Sequence, residues 1–490
     1  MKRREFLATS ACVAGTVFVP STDAAKRYCQ GLKDARGRDP GACDAQGAPR
    51  WFLEAPEKAW IEIAAGDLRQ DLPGFARGNR LADVRYHWPS GVKFTGGFAN
   101  ICNDWTGACI DQARGELLLA ANGGHSSYAG NEVYCCSIRS DYPGWRRLID
   151  PTPAEYILYN PGVNPPVAVN PFRHSDPSEV SIADYADRPN GPDSAPSMAN
   201  HGRMRSVHGY ARCVWAEGKI WYVGQDAYNC AAGHSCGGVW SFDRDGLGER
   251  RQPLAHNATN PWPWDLHGVV ATGGNFFPGG CAAYDRISRQ IYSLPQGNNP
   301  SVVVMNLRSN TVQQHSIAPL SFNGGFKYQW AAVASDLRIL IAPEHASPRV
   351  WIHHIDGDSA GQNWSSQVPV NAFTHVPAAL GGVYHAPSRA VIVGGPSITE
   401  GDEPSLWDGG MKLLRIPVTR DGRYDVSANL RYEAFPPVAG SVVVRVPPSY
   451  RGTYGKFNLI EDMGNGQAAL VLVTDVFGPV YAFKLPVGGV

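Results

Sequence analysis

The sequence predicts an all-β protein: a single-domain β-propeller with six or seven blades. Its 490 residues include 54 glycines and 38 prolines, a content typical of many short strands joined by tight turns. Its 14 tryptophans and 20 tyrosines also favour strands. Pairs of apolar strands recur along the chain, in its later part at intervals of about 50 residues, a spacing typical of propeller blades.

The beginning of the chain is typical of an export signal. Lys2-Arg3-Arg4 precede Phe6-Leu7 and a short apolar run to Val19, which small residues follow at Ala24-Ala25. The paired arginines resemble those of a twin-arginine signal. The apolar run is too short to span a bilayer. We therefore predict a signal peptide over 1–25, export to the periplasm or the medium, and no membrane span.

Two stretches interrupt the strand pattern. Residues 26–50 are polar and glycine-rich and are predicted to form an extended lead-in. Residues 151–200 carry many Pro, Asn, Asp and Ser and show no apolar periodicity. A long loop of this kind within a compact fold usually serves as a lid or a binding wall. We place the propeller over 51–490 and assign no separate domain to either stretch.

Four of the predicted blades share one pattern: an inner strand that ends near Tyr or Asp, a tight turn and a second apolar strand. Trp60 to Ile63 is predicted to complete the last blade and close the ring, which hides most strand edges. A β-sandwich array would not produce a 50-residue period. The repeats lie at 107–121 with 133–138, 209–223, 280–294 with 302–305, 329–342 with 350–354, 382–395 with 411–416, and 459–485.

The charges of the chain balance, with 44 Lys and Arg against 44 Asp and Glu. With this balance the chain shows no excess of positive charge that would bind nucleic acid. We also expect the protein to be a monomer. Of 11 cysteines, only Cys12 lies in the leader, so an even number enters an oxidising compartment, where disulfides are possible. Cys29 with Cys43, and Cys102 with Cys109, are plausible local pairs, while other thiols could be metal ligands.

The densest polar cluster follows the strand that ends at Ala121. His125 lies on a glycine-rich turn, and Tyr128 and Asn131 come soon after it. Two interpretations are open. These side chains either take part in chemistry at one mouth of the propeller or simply form hydrogen bonds within a turn.

A second cluster immediately precedes an inner strand and contains His201, Arg203, Arg205, His208 and Tyr210. Such a segment should rim the central funnel. Arginine presents a planar fork that matches carboxylate or sulfate, so the cluster could form an anion-binding wall. The alternative is a solvated loop paired with nearby carboxylates.

A third cluster is the short run that contains Cys230, His234 and Cys236. Three such ligands within one loop suit tetrahedral zinc in a structural role. The fourth ligand would be His208 or Cys213. A disulfide between Cys230 and Cys236 is the alternative.

Aromatic and basic residues also recur before or on inner strands, where any one of them could be a packing residue. The pairs are Lys327-Tyr328, Tyr384-His385 and Tyr454-Lys456.

At these residues the chain resembles bacterial propeller ulvan lyases and their kelch-type relatives, and its propeller is similar to that of galactose oxidase. The motifs that carry the resemblance are Gly-Gly-His-x-x-Tyr-x-Gly-Asn-Glu-Val-Tyr at 123–134, the Arg/His segment at 201–210 and the Cys/His loop at 230–236. The resemblance implies a polysaccharide lyase that cleaves a uronic-acid-containing glycan. It implies that His125 is catalytic, that Arg205 (or Arg203) neutralises the carboxylate, and that the Cys/His loop holds structural zinc.

Elimination next to a uronate has defined chemical requirements. Neutralising the carboxylate stabilises the dianion that develops when the C5 proton leaves. A His or Tyr takes that proton, and an acid protonates the departing O4. The candidate acids and bases are His125, His208, Tyr210 and Tyr128, and the candidate substrate-binding residues are Asn131, Arg203, His201, Tyr328, Lys327 and Tyr384.

Two other functions remain open. A non-catalytic propeller that binds a glycan or a protein would explain why the second histidine of the relatives is absent between His125 and His174. A copper radical oxidase would need a thioether-linked Cys–Tyr pair, a further tyrosine and two histidine ligands. No local motif indicates that copper site.

Overall fold

Six four-stranded antiparallel sheets form a six-bladed β-propeller. The blade number, predicted as six or seven, is six in the part of the chain that is described. The α-helices among the described residues are α1 (Arg50–Glu54) and α2 (Asn100–Asn103), each too short to cross a membrane. The computed structural model describes residues 47–66, 78–87, 97–120, 132–151, 159–160, 167–168, 209–223, 237–244, 264–270, 277–296, 301–316, 325–356, 364–373, 379–399 and 403–490.

The first three blades follow one another along the chain, each with its inner strand first. Strand β1 (Trp60–Ile63) precedes them and belongs to the last blade. Blade 1 contains β2 (Ala108–Asp111), β3 (Glu116–Leu119), β4 (Val133–Ser137) and β5 (Trp145–Ile149), after which β6 (Tyr159–Asn160) and β7 (Val167–Ala168) form a separate pair. Blade 2 contains β8 (Cys213–Ala216), β9 (Lys219–Tyr222), β10 (Gly237–Asp243) and β11 (Trp264–Val270). Blade 3 contains β12 (Phe277–Asp285), β13 (Gln290–Gln296), β14 (Ser301–Asn306) and β15 (Thr311–Ser316).

The remaining blades repeat this order with one insertion, the two-stranded β22 and β25 pair. Blade 4 contains β16 (Ala332–Ala334), β17 (Ile339–Pro343), β18 (Val350–His354) and β19 (Trp364–Gln367). Blade 5 contains β20 (Gly381–His385), β21 (Ala390–Gly394), β23 (Met411–Arg415) and β24 (Arg431–Phe435), while β22 (Ser405–Trp407) pairs with β25 (Val444–Val446). Blade 6 contains β26 (Phe457–Ile460), β27 (Ala469–Val473), β28 (Val480–Lys484) and β1.

The position of a strand within its blade explains its hydrophobic pattern. Strand β17 is buried throughout because neighbouring blades cover both faces of its sheet, so its sequence is almost continuously apolar. The outermost strand β15 is largely exposed and carries Gln, His and Ser. Two inner strands, β2 and β12, end in aspartate, and for β12 the reason is local. Asp285 accepts hydrogen bonds from the backbone amides of Ile287 (3.3 Å) and Ser288 (3.0 Å) and thereby fixes the following turn.

Strand β1 closes the ring, as the sequence predicted. Trp60 pairs with Phe483 of β28 in an antiparallel register. The Trp60 side chain is fully buried, and its Nε1 donates a hydrogen bond to the carbonyl of Gly409 at 3.0 Å. Its ring contacts those of Trp407 and Phe483, with centroids 5.6 and 5.2 Å away. The beginning and the end of the described propeller therefore share one sheet.

The suggested Cys102–Cys109 disulfide is wrong for this structure, in which both thiols are free and buried. Cys102 lies on α2 in the apolar cluster shared by blades 6 and 1. Cys109 lies on β2 but faces the opposite side of blade 1, toward blade 2. Sequence proximity suggested the pair, but a full blade thickness separates the two environments. The suggested partners Cys29 and Cys43 lie outside the described residues.

Candidate functional site at the upper mouth of the channel

A central channel of about 590 Å³ is walled by the six inner strands. We call the end where these strands begin the upper mouth, and the end where they turn into the second strands the lower mouth. Its wall includes many small residues, because the convergence of six strands at one axis leaves little room for side chains. These small residues include Ala108, Ala211, Ala282, Ala283, Ala332, Gly382 and Gly455.

Three tyrosines meet at the upper mouth and form what we call the tyrosine triad. Tyr210, Tyr328 and Tyr454 each lie just before the inner strand of blades 2, 4 and 6, so alternate blades contribute them. The Tyr210 ring centroid is 5.7 Å from that of Tyr328 and 5.2 Å from that of Tyr454. The third pair, Tyr328 and Tyr454, is 6.2 Å apart. The triad thus joins three blades across the axis.

Each tyrosine of the triad has a left-handed backbone, with φ values of 44°, 57° and 45° for Tyr210, Tyr328 and Tyr454. A bulky residue adopts this conformation at a conformational cost, and only when its surroundings impose it. Backbone hydrogen bonds between blades provide the restraint. The Tyr210 amide donates to the Trp105 carbonyl at 2.8 Å, and the Tyr328 carbonyl accepts from the Ala379 amide at 2.7 Å. The Tyr454 amide donates to the carbonyl of the same Ala379 at 3.1 Å.

Several buried polar groups on the triad or next to it in sequence have no hydrogen-bond partner among the described residues. The Tyr454 side chain is 1% exposed, and its hydroxyl has no partner among the described residues. Burial raises the pKa of this phenol well above its ordinary value. Trp330 Nε1 and both polar ends of Gln329 are likewise buried and unpaired. Such groups are uncommon in folded proteins and often mark a place where water or a ligand binds.

Three basic groups accompany the aromatic side chains. The Lys327 ammonium lies 4.8 Å from the centroid of the Tyr328 ring, and the Arg451 guanidinium lies 5.6 Å from that of Trp105. The His345 ring packs edge-on against Tyr328 with centroids 6.2 Å apart. Burial, with the positive charge of Lys327, lowers the pKa of His345 below its ordinary value, so this imidazole is neutral at pH 7. A neutral imidazole can accept a proton.

A buried lysine anchors the same end of the propeller. Lys456 is fully buried, and its Nζ donates hydrogen bonds to the carbonyls of Cys102 (2.5 Å) and Asp104 (3.3 Å). Burial lowers its pKa to about 8. The Nζ also lies 4.5 Å from the centroid of the Tyr450 ring. These contacts join blade 6 to the segment that leads into blade 1, and Lys456 is therefore a structural clamp.

Tyr384, which the sequence grouped with Tyr328, lies at the opposite mouth. It is near the end of its inner strand, and its hydroxyl donates a hydrogen bond to Asp336 at 3.1 Å. Burial and the adjacent carboxylate raise the pKa of this phenol. Tyr284 makes the corresponding contact with Glu217 at 3.3 Å. The lower mouth therefore carries tyrosine–carboxylate pairs that connect neighbouring blades.

The upper mouth brings together Tyr210, Tyr328 and Lys327 from the predicted site. It adds Trp105, His345 and Arg451, which the sequence analysis did not identify. In the sequence, His345 falls between the second and third strands of blade 4, and His125 falls at the same place in blade 1. Among the described residues, no three His, Cys, Asp or Glu side chains form a metal site. The predicted residues that lie outside those described are His125, Tyr128, Asn131, His201, Arg203, Arg205, His208, Cys230, His234 and Cys236.

Comparison with known proteins adds little to this description. No family model matches the chain, and no curated protein matches it. Among solved structures, the chain is similar to one described as "Crystal Structure of Mitotic Checkpoint Complex", with 10% sequence identity and a TM-score of 0.39. That similarity covers 82% of this chain and 95% of the other.

Proposed function

We propose that the upper mouth binds an acidic polysaccharide and cleaves it by β-elimination beside a uronic acid. One observation supports this proposal most strongly: the neutral imidazole of His345 packs against Tyr328, over which the Lys327 ammonium lies. The imidazole and the ammonium thus both lie against the ring of one tyrosine. Elimination next to a carboxylate uses those three kinds of group, a base, a cation and a hydroxyl.

Binding in this proposal combines aromatic faces with cations. Tyr328 and Trp105 are partly exposed and offer apolar surfaces to a sugar ring. Lys327 and Arg451 neutralise uronate or sulfate groups along the chain of the glycan. Tyr210 is only 2% exposed, so its role here is to support Tyr328 from beneath.

The chemical step balances with these groups alone. His345 accepts the C5 proton while Lys327 stabilises the negative charge that develops on the carboxylate. The electron pair forms the C4=C5 double bond, and the bond between C4 and O4 breaks. The Tyr328 hydroxyl donates its proton to the departing O4. The products are one fragment with the unsaturated uronate at its non-reducing end and a second fragment with a new reducing end that carries O4.

The residues singled out in the sequence extend this proposal. His125 is predicted to contact the substrate as a catalytic histidine, and Arg205 (or Arg203) is predicted to join Lys327 in neutralising the carboxylate. Cys230, His234 and Cys236 are predicted to hold a structural zinc ion. The relationship to kelch-type ulvan lyases and the export signal over 1–25 remain predictions, and both agree with an enzyme that acts on extracellular glycans.

The direct test follows ultraviolet absorbance while the full chain is mixed with a panel of uronate-containing polysaccharides, ulvan included. Elimination produces a conjugated unsaturated uronate and a rising signal. His345→Ala should abolish that signal and leave the thermal unfolding temperature unchanged, while His315→Ala on the outer strand β15 should behave like wild type. His125→Ala and Arg205→Ala test the predicted loop residues in the same assay.

Two outcomes would contradict the proposal. A flat trace across the whole panel, with zinc present, would exclude elimination on these substrates. If wild type bound the glycans without producing unsaturated uronate, the upper mouth would instead be a non-catalytic binding surface.

A further inference from the structure

Two cysteines from different blades face each other across one interface. Cys109 lies on the inner strand β2 of blade 1, and Cys213 lies on the inner strand β8 of blade 2. Both belong to the apolar cluster that these blades share, and after burial itself the neighbouring Cys213 side chain helps to raise the pKa of the Cys109 thiol. They are separated by a long stretch of sequence, and the packing of blade 1 against blade 2 brings them together.

The local geometry explains why the two side chains can approach so closely. Cys109 pairs with Leu118 within its sheet, and Cys213 pairs with Tyr222 within the next. Gly107, directly before β2, has no side chain, and a Cβ atom placed there would lie only 3.2 Å from the Cβ atom of Cys213. The glycine therefore lets the two inner strands pack closely at this point.

We infer that Cys109 and Cys213 form a redox pair that can close into a disulfide between blades 1 and 2. Both thiols are free in the structure, and each is almost completely buried, with exposures of 3% and 7%. Both also line the central channel. The channel gives an oxidant a route to thiols that the outer surface of the protein covers.

The reaction is a two-electron oxidation. Each thiol loses its proton, one sulfur–sulfur bond forms between the two side chains, and a disulfide oxidant such as oxidised glutathione accepts the two electrons and is reduced to two thiols. Burial raises the pKa of Cys109 well above its ordinary value. Because the thiolate is the attacking species, we expect the reaction to be slow and to need long incubation.

The bond would join two neighbouring blades near the axis. A cross-link between residues so far apart in sequence removes much conformational freedom from the unfolded chain. The oxidised protein should therefore unfold at a higher temperature than the reduced protein. The pair would stabilise the propeller only after the chain meets an oxidising environment.

Peptide mapping of the full chain tests this inference. The protein is purified with a reducing agent, transferred to buffer with oxidised glutathione, alkylated, digested and analysed by mass spectrometry. We expect a cross-linked peptide that contains Cys109 and Cys213, with a mass two hydrogens below the sum of its parts, and a higher unfolding temperature. Both signals should disappear after addition of dithiothreitol.

Matched variants complete the test. Cys109→Ser should remove the cross-link and the rise in unfolding temperature, whereas Cys281→Ser, at a buried free thiol on the inner strand of blade 3, should keep both. The wild-type map does not depend on whether either variant folds. Recovery of Cys109 and Cys213 as alkylated or glutathionylated peptides after prolonged oxidation would overturn the inference, as would a cross-link from either residue to another cysteine.

Discussion

The ring of Tyr210 stacks on the ring of Tyr328, with centroids 5.7 Å apart and planes inclined by 26°, although the two residues belong to blades 2 and 4. Neighbouring blades touch through their sheets, but blades 2 and 4 touch through this pair at the axis. The third tyrosine, Tyr454, extends the contact to blade 6. At the upper mouth, the position of the partly exposed Tyr328 therefore depends on its packing against the buried Tyr210 and Tyr454.

The left-handed backbone of Tyr210 gives a prediction about stability. Tyr210→Ala and Tyr210→Gly both remove the ring, at a cost of about 3–5 kcal/mol in the free energy of unfolding. Glycine adopts φ 44° without the clash that a Cβ atom causes, so Tyr210→Gly should be the more stable of the two by about 1 kcal/mol. Urea unfolding of both variants measures the difference. Equal stability, or a more stable alanine variant, would argue against backbone strain at this position.

The unpaired hydroxyl of Tyr454 gives a second prediction. Removing it with Tyr454→Phe relieves the cost of burying a polar group without a partner, and should raise the free energy of unfolding by about 1 kcal/mol. Tyr222→Phe is the matched control, because the buried Tyr222 hydroxyl donates to the Ala120 carbonyl at 2.6 Å. That change should lower the free energy of unfolding by about 1–2 kcal/mol. Destabilisation of the same size in both variants would mean that Tyr454 has a partner.

The environment of His345 predicts the pH dependence of the proposed elimination. A base must be unprotonated, so kcat/KM should rise with pH, with the midpoint of the rise below the ordinary histidine pKa of 6.5. Lys327→Met removes a positive charge that lowers this pKa, so the rising limb should move to higher pH. Rates measured at saturating and at low substrate concentrations from pH 4 to 9 give this rising part of the pH profile. An unchanged limb in Lys327→Met would exclude His345 as the base.

The closure of the ring predicts a strong effect at Trp60. Trp60→Ala removes a fully buried ring and its hydrogen bond to Gly409, and should cost about 3–5 kcal/mol in the free energy of unfolding. Leu406→Ala, at a side chain that is 73% exposed on nearby β22, should change it by less than about 0.5 kcal/mol. Chemical unfolding followed by tryptophan fluorescence compares them. A mild effect at Trp60 would mean that the ring is held closed elsewhere.

The lowered pKa of Lys456 predicts that the free energy of unfolding rises in alkaline solution. Its pKa is about 8 when folded and 10.5 ordinarily, so between these values the unfolded chain binds the proton and the folded chain does not. The free energy of unfolding therefore rises across that window, by on the order of 3 kcal/mol. Below pH 8 both states bind the proton, so this residue makes no contribution to the pH dependence there. Lys456→Met removes the titrating group. The difference between wild type and variant should grow from pH 8 to pH 10.5, and a constant difference would refute the lowered pKa.

The sequence predicted the propeller well because its signals are local. Each inner strand, turn and second strand has a recognisable pattern, and the isolated apolar segment Trp60 to Ile63 fits only as a closing strand. The sequence predicts six or seven blades, because its turn-rich stretches show no periodic apolar pattern that would identify or exclude another blade. The pairing of strands in the structure shows six blades among the described residues. Paired strands lie at no fixed distance in sequence, so the sequence alone does not give this number.

The site was predicted less completely. Tyr210 and Tyr328 were identified by their place before inner strands, but Tyr384 was grouped with them although it lies at the other end of its strand. Whether a residue begins or ends an inner strand decides which mouth it reaches, and that requires strand bounds accurate to one or two residues. Lys327 was recognised as a neighbour in sequence, whereas His345 became relevant only through its contact with Tyr328 from the next hairpin.

Closure of the ring by β1 also has a consequence for synthesis of the protein. Lys484 donates a hydrogen bond to the Phe52 carbonyl, between residues 432 positions apart. A ribosome that adds about 5–20 residues per second needs roughly 20–90 s to make that stretch. During this time Trp60 and its neighbours have no sheet to join and expose apolar surface on an unpaired strand. Nascent chains should therefore need a chaperone at this first strand until the last blade leaves the ribosome.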